Sequence, residues 1–165
     1  VVHMRYTAVD GGDKLKQPAG GSVQEYIKSV EDLSRQEGLF AAFDVKHDFS
    51  NEWYKAMQPQ AGAAERLLKL NKLNERLPIF TKGRTPDKIL ATDVYLITSA
   101  TLLATQLTLT QAVDEFTFTD GPQVGTMKSF ACTDNAIPMN DWQLKINGVE
   151  TQIEKLWLTI RYTIG

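Results

Sequence analysis

The chain has 165 residues, 42% hydrophobic and 23% charged, which suits one domain with a core of its own and argues against disorder. Its 18 basic and 20 acidic residues leave a net charge of −2, so no basic surplus exists to neutralise phosphates and nucleic acid is not an expected partner. No apolar run reaches the ~20 residues that span a bilayer, and the single cysteine, Cys132, excludes an internal disulfide without excluding secretion.

The tripeptide Arg-Tyr-Thr occurs near both ends, as Arg5-Tyr6-Thr7 and as Arg161-Tyr162-Thr163, each time in an alternating, β-rich context. We expect each copy to be the closing strand of a module, with chance recurrence as the alternative. Residues 1–8 then end a preceding unit, residues 9–21 form a linker and residues 22–165 form one helix-capped β-sandwich module of a larger protein. The first residues lack a basic segment followed by a long apolar core, so targeting information is expected outside this segment.

Residues 9–21 carry four glycines and one proline and read as turn-rich. Ser22 followed by Glu25 has the spacing of a capping box. Val23, Tyr26, Ile27, Val30 and Leu33 then recur at helical spacing, and Gly38 supplies a stop. The helix is expected over about residues 23–36. Leu39, Phe40 and Phe43 are followed by Val45, His47 and Phe49 alternating with Lys46 and Asp48, which predicts a short turn leading into a strand. Ser50 can cap a second short helix that ends before Pro59. Residues 66–71 are ambiguous between helix, which propensity favours, and strand, with a helical turn over 74–80.

From residue 87 the texture changes. Six short segments rich in Val, Ile, Thr, Phe and Tyr follow at 8–15 residue spacing, most of them separated by Gly, Asp, Asn or Pro. Asn147-Gly148 has the signature of a two-residue hairpin joining WQLKI to the last strand. The fold class is therefore mainly β: an antiparallel β-sandwich preceded by one amphipathic helix and a short second helix.

Three stretches resemble a known family. FDVKHDFSNEW (Phe43–Trp53), RLPIFTKGR (Arg76–Arg84) and the terminal IRYTI (Ile160–Ile164), together with RYTAVDGGDKL, resemble the C-terminal region of large proteins related to the A component of Tc-type insecticidal toxin complexes. The resemblance covers nearly the whole chain and carries no catalytic motif. It implies a C-terminal β domain that docks a partner subunit, and a secreted or extracellular setting. It also tips residues 66–71 towards strand.

Candidate chemistry is sparse. Cys132, His47 and an aspartate have no nucleophile signature around them, and Cys132 alternates with Phe130 as a buried cysteine does. Asp44, His47 and Asp48 have metal-like spacing, yet on a strand His47 points away from both carboxylates, so a solvated charged strip or a local hydrogen bond is the better reading. Gly20-Gly21-Ser22 lacks any phosphate-loop pattern and reads as an ordinary helix start. Asp134, Asn135, Asn140 and Asp141 flank one loop and can converge on calcium, although Asx residues are also the usual turn formers. Trp53, Tyr54, Trp142 and Trp157 are candidates for core packing or for stacking on a sugar, with Trp142 the better surface candidate. Ile137 and Met139 flank Pro138 and would form an apolar patch if exposed.

The expected functional edge is thus Asp134, Asn135, Met139, Asn140, Asp141 and Trp142, with no catalytic residue, metal or cofactor. The function read from this is a non-enzymatic assembly module that binds a protein partner, another toxin-complex subunit or a copy of itself. The alternative is a carbohydrate- or receptor-binding sandwich that recognises a cell-surface glycan.

Overall fold

The computed structural model describes residues 12–148 and 152–165. The expected strand at residues 1–8 lies outside them. A long helix, α1 (Asp13–Glu37), leads into strand β1 (Leu39–Asp44), then two short helices, α2 (Val45–Asp48) and α3 (Ser50–Met57). Apart from short 3₁₀ turns, the elements that follow are strands: β2 (Glu65–Leu70), β3 (Ile89–Thr98), β4 (Leu107–Gln111), β5 (Asp114–Thr117), β6 (Thr119–Asp120), β7 (Lys128–Cys132), β8 (Ile137–Pro138), β9 (Trp142–Asn147) and β10 (Leu156–Ile164).

The strands form two antiparallel sheets. The first runs β1-β10-β3-β7-β6, with β8 also paired to β3; the second runs β2-β9-β4-β5. Period-2 alternation decides which side chains are buried. In β10, Leu156, Leu158, Ile160, Tyr162 and Ile164 are buried, while Trp157, Thr159, Arg161 and Thr163 face the other way. In β9, Trp142, Leu144 and Ile146 are buried. These two inner faces belong to one continuous hydrophobic core, with Leu68 and Leu70 of β2, Val94 and Leu96 of β3, and Leu107 and Leu109 of β4. The fold is the expected two-sheet arrangement. The strand resolves over Glu65–Leu70, with 3₁₀ turns at Leu73–Arg76 and Ile79–Thr81.

Three local expectations are corrected. First, residues 13–21 are helical, so Ser22 lies inside α1 and caps nothing. Pro18, Gly20 and Gly21 weaken that part of the helix but do not stop it, because proline's fixed φ is compatible with helical backbone and Lys14–Gln17 are good helix formers. Second, the strand precedes Asp44 rather than following it. Asp44 caps the next turn, its Oδ1 accepting from the Lys46 N–H at 3.2 Å, so residues 45–48 coil instead of extending. Third, Asn147-Gly148 is not a hairpin turn. β9 pairs with β2 and β4, whereas β10 lies in the other sheet between β1 and β3. A two-residue turn joins neighbouring strands of one sheet, so it cannot link β9 to β10.

The stop at Gly38 holds. Its φ is 77° and ψ 159°, a region essentially restricted to glycine, and its N–H bonds to the Ser34 carbonyl at 3.0 Å. A Cβ placed there would meet Arg161 Nε at 2.6 Å. Among the described residues no helix is long and apolar enough to cross a membrane.

Candidate functional site

The loop expected to carry function does not form one surface. Met139 is fully buried, its N–H bonded to the Ile89 carbonyl at 2.9 Å, and Ile137 is buried beside β3. Trp142 is only 2% exposed, and its Nε1 donates to the Pro138 carbonyl at 2.8 Å. These three apolar side chains close the core. The polar members are used locally. Asp134 has φ 60°, and its N–H donates to Asp93 Oδ1 at 3.2 Å. Asn135 Nδ2 donates to the Thr133 carbonyl and to Cys132 Sγ. Asn140 turns back on Pro138 through its N–H, and Asp141 Oδ1 accepts from the Lys72 N–H at 2.7 Å. The last bond fixes Lys72 in the left-handed conformation that begins the turn after β2. Among the described residues no group of three or more His, Cys, Asp or Glu side chains is arranged to hold a metal ion.

The resemblance motifs are packing devices. Phe43, Val45, Phe49 and Trp53 are buried, and the Phe43 and Phe49 rings meet edge to face at 6.1 Å. Arg76 lies over the Phe49 ring at 4.2 Å, so the second motif clasps the first. Arg84 reaches the chain end, donating to the Gly165 carbonyl at 3.1 Å and pairing with Glu31 of α1. Arg161 of the third motif donates to the Glu37 carbonyl through Nε at 2.9 Å and Nη2 at 2.7 Å, and it pairs with the buried Asp93. Cys132 is buried. Burial raises its thiol above the ordinary value against the opposing bond from Asn135. A buried thiol held neutral is a poor nucleophile.

Two surfaces stand out among the described residues. One is α1. Its last turns dock: Ser34 is fully buried, its Oγ accepting from the Ile164 N–H at 3.1 Å. Ahead of that anchor Ile27 and Val30 are half-buried, while the stripe residues flanking them are not covered, with Val23 56%, Tyr26 62% and Leu33 45% exposed. Phe40, on the first strand beyond Gly38, is 64% exposed.

The other is a corner of the first sheet. Asp44, Trp157 and Ile97 lie side by side on its outer face, on β1, β10 and β3. The turn at α2 brings His47 back onto Asp44, with Nδ1 2.8 Å from Oδ2. The strand expectation had placed His47 on the opposite side; the turn instead makes the local hydrogen bond that was one reading of this cluster. Burial works to raise the Asp44 carboxyl, but the His47 hydrogen bond and charge and the Lys46 N–H together hold it below the ordinary value. Asp44, Lys46, His47, Glu154, Lys155 and Trp157 line a cleft of about 540 Å³. Trp157 is 38% exposed there. A second cleft of about 390 Å³, between Ser99 and Ser129, is lined by small and polar groups, including Thr101, Asp120, Gln123 and Lys128, with no aromatic ring.

Comparisons of the chain with family models, with curated proteins and with solved structures gave no match.

Proposed function

We propose that this chain is a non-enzymatic assembly module of a large, secreted toxin-complex-like protein, whose β-sandwich docks a neighbouring subunit or module. The observation that carries this reading is the apolar stripe of α1. A helix with one apolar face is stable in water only when that face is covered. Here the sandwich covers only the last turns, and Val23, Tyr26 and Leu33 are left to a surface outside the module. The resemblance of Phe43–Trp53, Arg76–Arg84 and Ile160–Ile164 to the C-terminal region of Tc-type A components supports the same reading. So does the use of those motifs for packing. Cys132 and His47 give no support to a catalytic reading, since the thiol is buried while the imidazole is bound to Asp44 at the surface.

The test is made on the native gene product in its source. An antibody against this segment should detect a chain well above ~100 kDa, beyond single-domain size. It should also co-precipitate a second subunit. Val23→Glu with Tyr26→Glu and Leu33→Glu, introduced in the full-length protein, should release that subunit while the sandwich keeps its melting temperature. A native band at 18.5 kDa, or retention of the subunit by the triple variant, rejects the proposal.

A further inference from the structure

We propose that the Trp157 cleft is a binding site for a neutral saccharide, with the indole face as the stacking platform and Asp44, Glu154, Lys46 and Lys155 as hydroxyl partners. The site differs from the 134–142 loop and does not depend on the assembly reading.

The platform comes from the register. Trp157 stands on the outer face of β10, where its ladder neighbours are Asp44 and Ile97. The next pair along the same face is Ala42 with Thr159, both small. No larger side chain from that pair can cover the ring. An exposed tryptophan on a rigid central strand presents a flat apolar surface at little cost in conformational entropy. A pyranose ring offers the matching surface, a face of C–H bonds, and places its hydroxyls around the rim.

The polar groups of the rim come from two stretches of chain. Lys46 and His47 come from α2, and Glu154 and Lys155 from the segment entering β10. Among the described residues the side chains of Lys46, Glu154 and Lys155 make no hydrogen bond or ion pair, which leaves an acceptor and two donors for a ligand. Asp44 is oriented by His47 and the Lys46 N–H, so its position is set before a ligand arrives. Few polar groups placed around one apolar platform, in a volume within the roughly 300–1,000 Å³ of small-ligand sites, describe a built cleft rather than a flat face.

The charge pattern selects the ligand class. An anion would meet Asp44 and Glu154, and a cation stacked on Trp157 would meet Lys46 and Lys155. A neutral polyhydroxyl ligand accepts from the ammonium groups and donates to the carboxylates without repulsion from either. A purely apolar ligand would leave Lys46, Glu154 and Lys155 unpaired.

The experiment uses the full 165-residue chain on an array of neutral and sialylated oligosaccharides, followed by titration calorimetry with methyl glycosides of glucose, galactose, mannose and N-acetylglucosamine. Binding to neutral glycans and to at least one methyl glycoside is expected. Trp157→Ala should weaken it about tenfold or more, the size of one aromatic stacking contact, while Trp157→Tyr retains most of it. Glu154→Gln, on an exposed side chain, should lower affinity without lowering the melting temperature, so a folding defect in the tryptophan variant does not blur the result. Silence on the array, recognition of sialylated glycans alone, or affinity unchanged in both Trp157→Ala and Glu154→Gln would overturn the proposal.

Discussion

The two sheets are alike inside and unlike outside. On the outer face of β2-β9-β4-β5 the cross-strand rows read Leu67–Lys145–Thr108–Thr117 and Lys69–Gln143–Thr110–Glu115, almost wholly polar. Lys145 pairs with Glu115 at 3.2 Å, an ordinary exposed contact. On the outer face of β1-β10-β3-β7 the rows read Ala42–Thr159–Tyr95–Ala131 and Asp44–Trp157–Ile97–Ser129. One face is built for water and the other carries aromatic and apolar groups that water does not require. The inner faces specify the fold, so the difference between the outer faces is where function is best sought.

The largest expected effect concerns what the sheets share. Leu144→Ala on β9 and Leu158→Ala on β10 each remove a buried side chain from the same core. Each should lower stability by about 2–5 kcal/mol in urea unfolding. A loss below about 1 kcal/mol in one of them would break the comparison, because that sheet's inner face would then not be part of the common core.

Next in size is the joint between α1 and the first sheet. Gly38→Ala forces a Cβ into a glycine-only backbone region and against Arg161, at a cost of about 1–3 kcal/mol. Arg161→Ala removes the obstructing side chain. If contact with Arg161 matters, the double variant should be less destabilised than the sum of the singles. Strict additivity would assign the whole cost to backbone strain.

A smaller effect separates the outer faces without any ligand. Of the three tryptophans, Trp53 and Trp142 are buried and only Trp157 is partly exposed. Acrylamide should quench one emission component, and Trp157→Phe should remove it with little change in stability. Quenching that survives this substitution would mean that the platform at β10 is covered.

Most of the fold was legible in the residues, and most of the candidate site was not. Alternation in KILATDVYLIT, WQLKI and LWLTIRYTI gave the strands, because burying one side of a sheet demands period 2. The short helix at NEWYKAM and the stop at Gly38 were also legible. Pairing between distant strands was not. Asn147-Gly148 is a good local hairpin signal, but both β9 and β10 find neighbours elsewhere, and turn chemistry says nothing of competing partners. The Asx-rich loop misled for a related reason: Asp134 and Asn135 form turns, and Met139 and Trp142 between and beyond them fill the end of the core. Trp157 carried a usable signal. It shares parity with Thr159, Arg161 and Thr163, not with Leu156, Leu158 and Ile160, which is the outer-face parity, although core packing was the reading favoured for it. Asp44 and His47 were close enough in sequence for a local hydrogen bond, but that they meet depends on a turn that replaced an expected strand.

That turn supplies the smallest and most specific effect, a pH dependence at the rim of the cleft. Asp44 is held below the ordinary carboxylate value in the folded chain, the His47 contact and the Lys46 N–H outweighing burial. The folded state therefore releases the Asp44 proton more readily than the unfolded chain. The stabilisation this brings is present above the unfolded value, near pH ~4, and is lost as pH falls through the lower folded value. Asp44→Asn cannot ionise and should show a shallower loss of stability with acid over that window. The two chains should otherwise melt alike with pH at neutrality and above. The effect should be modest, since His47 lies mostly in solvent and salt screens the pair. Parallel acid profiles for the two proteins would mean that the Asp44–His47 contact is not maintained in solution. The rim would then lose the one carboxylate whose orientation is fixed before a ligand arrives, whereas Trp157, held by the ladders of β10, would keep its place.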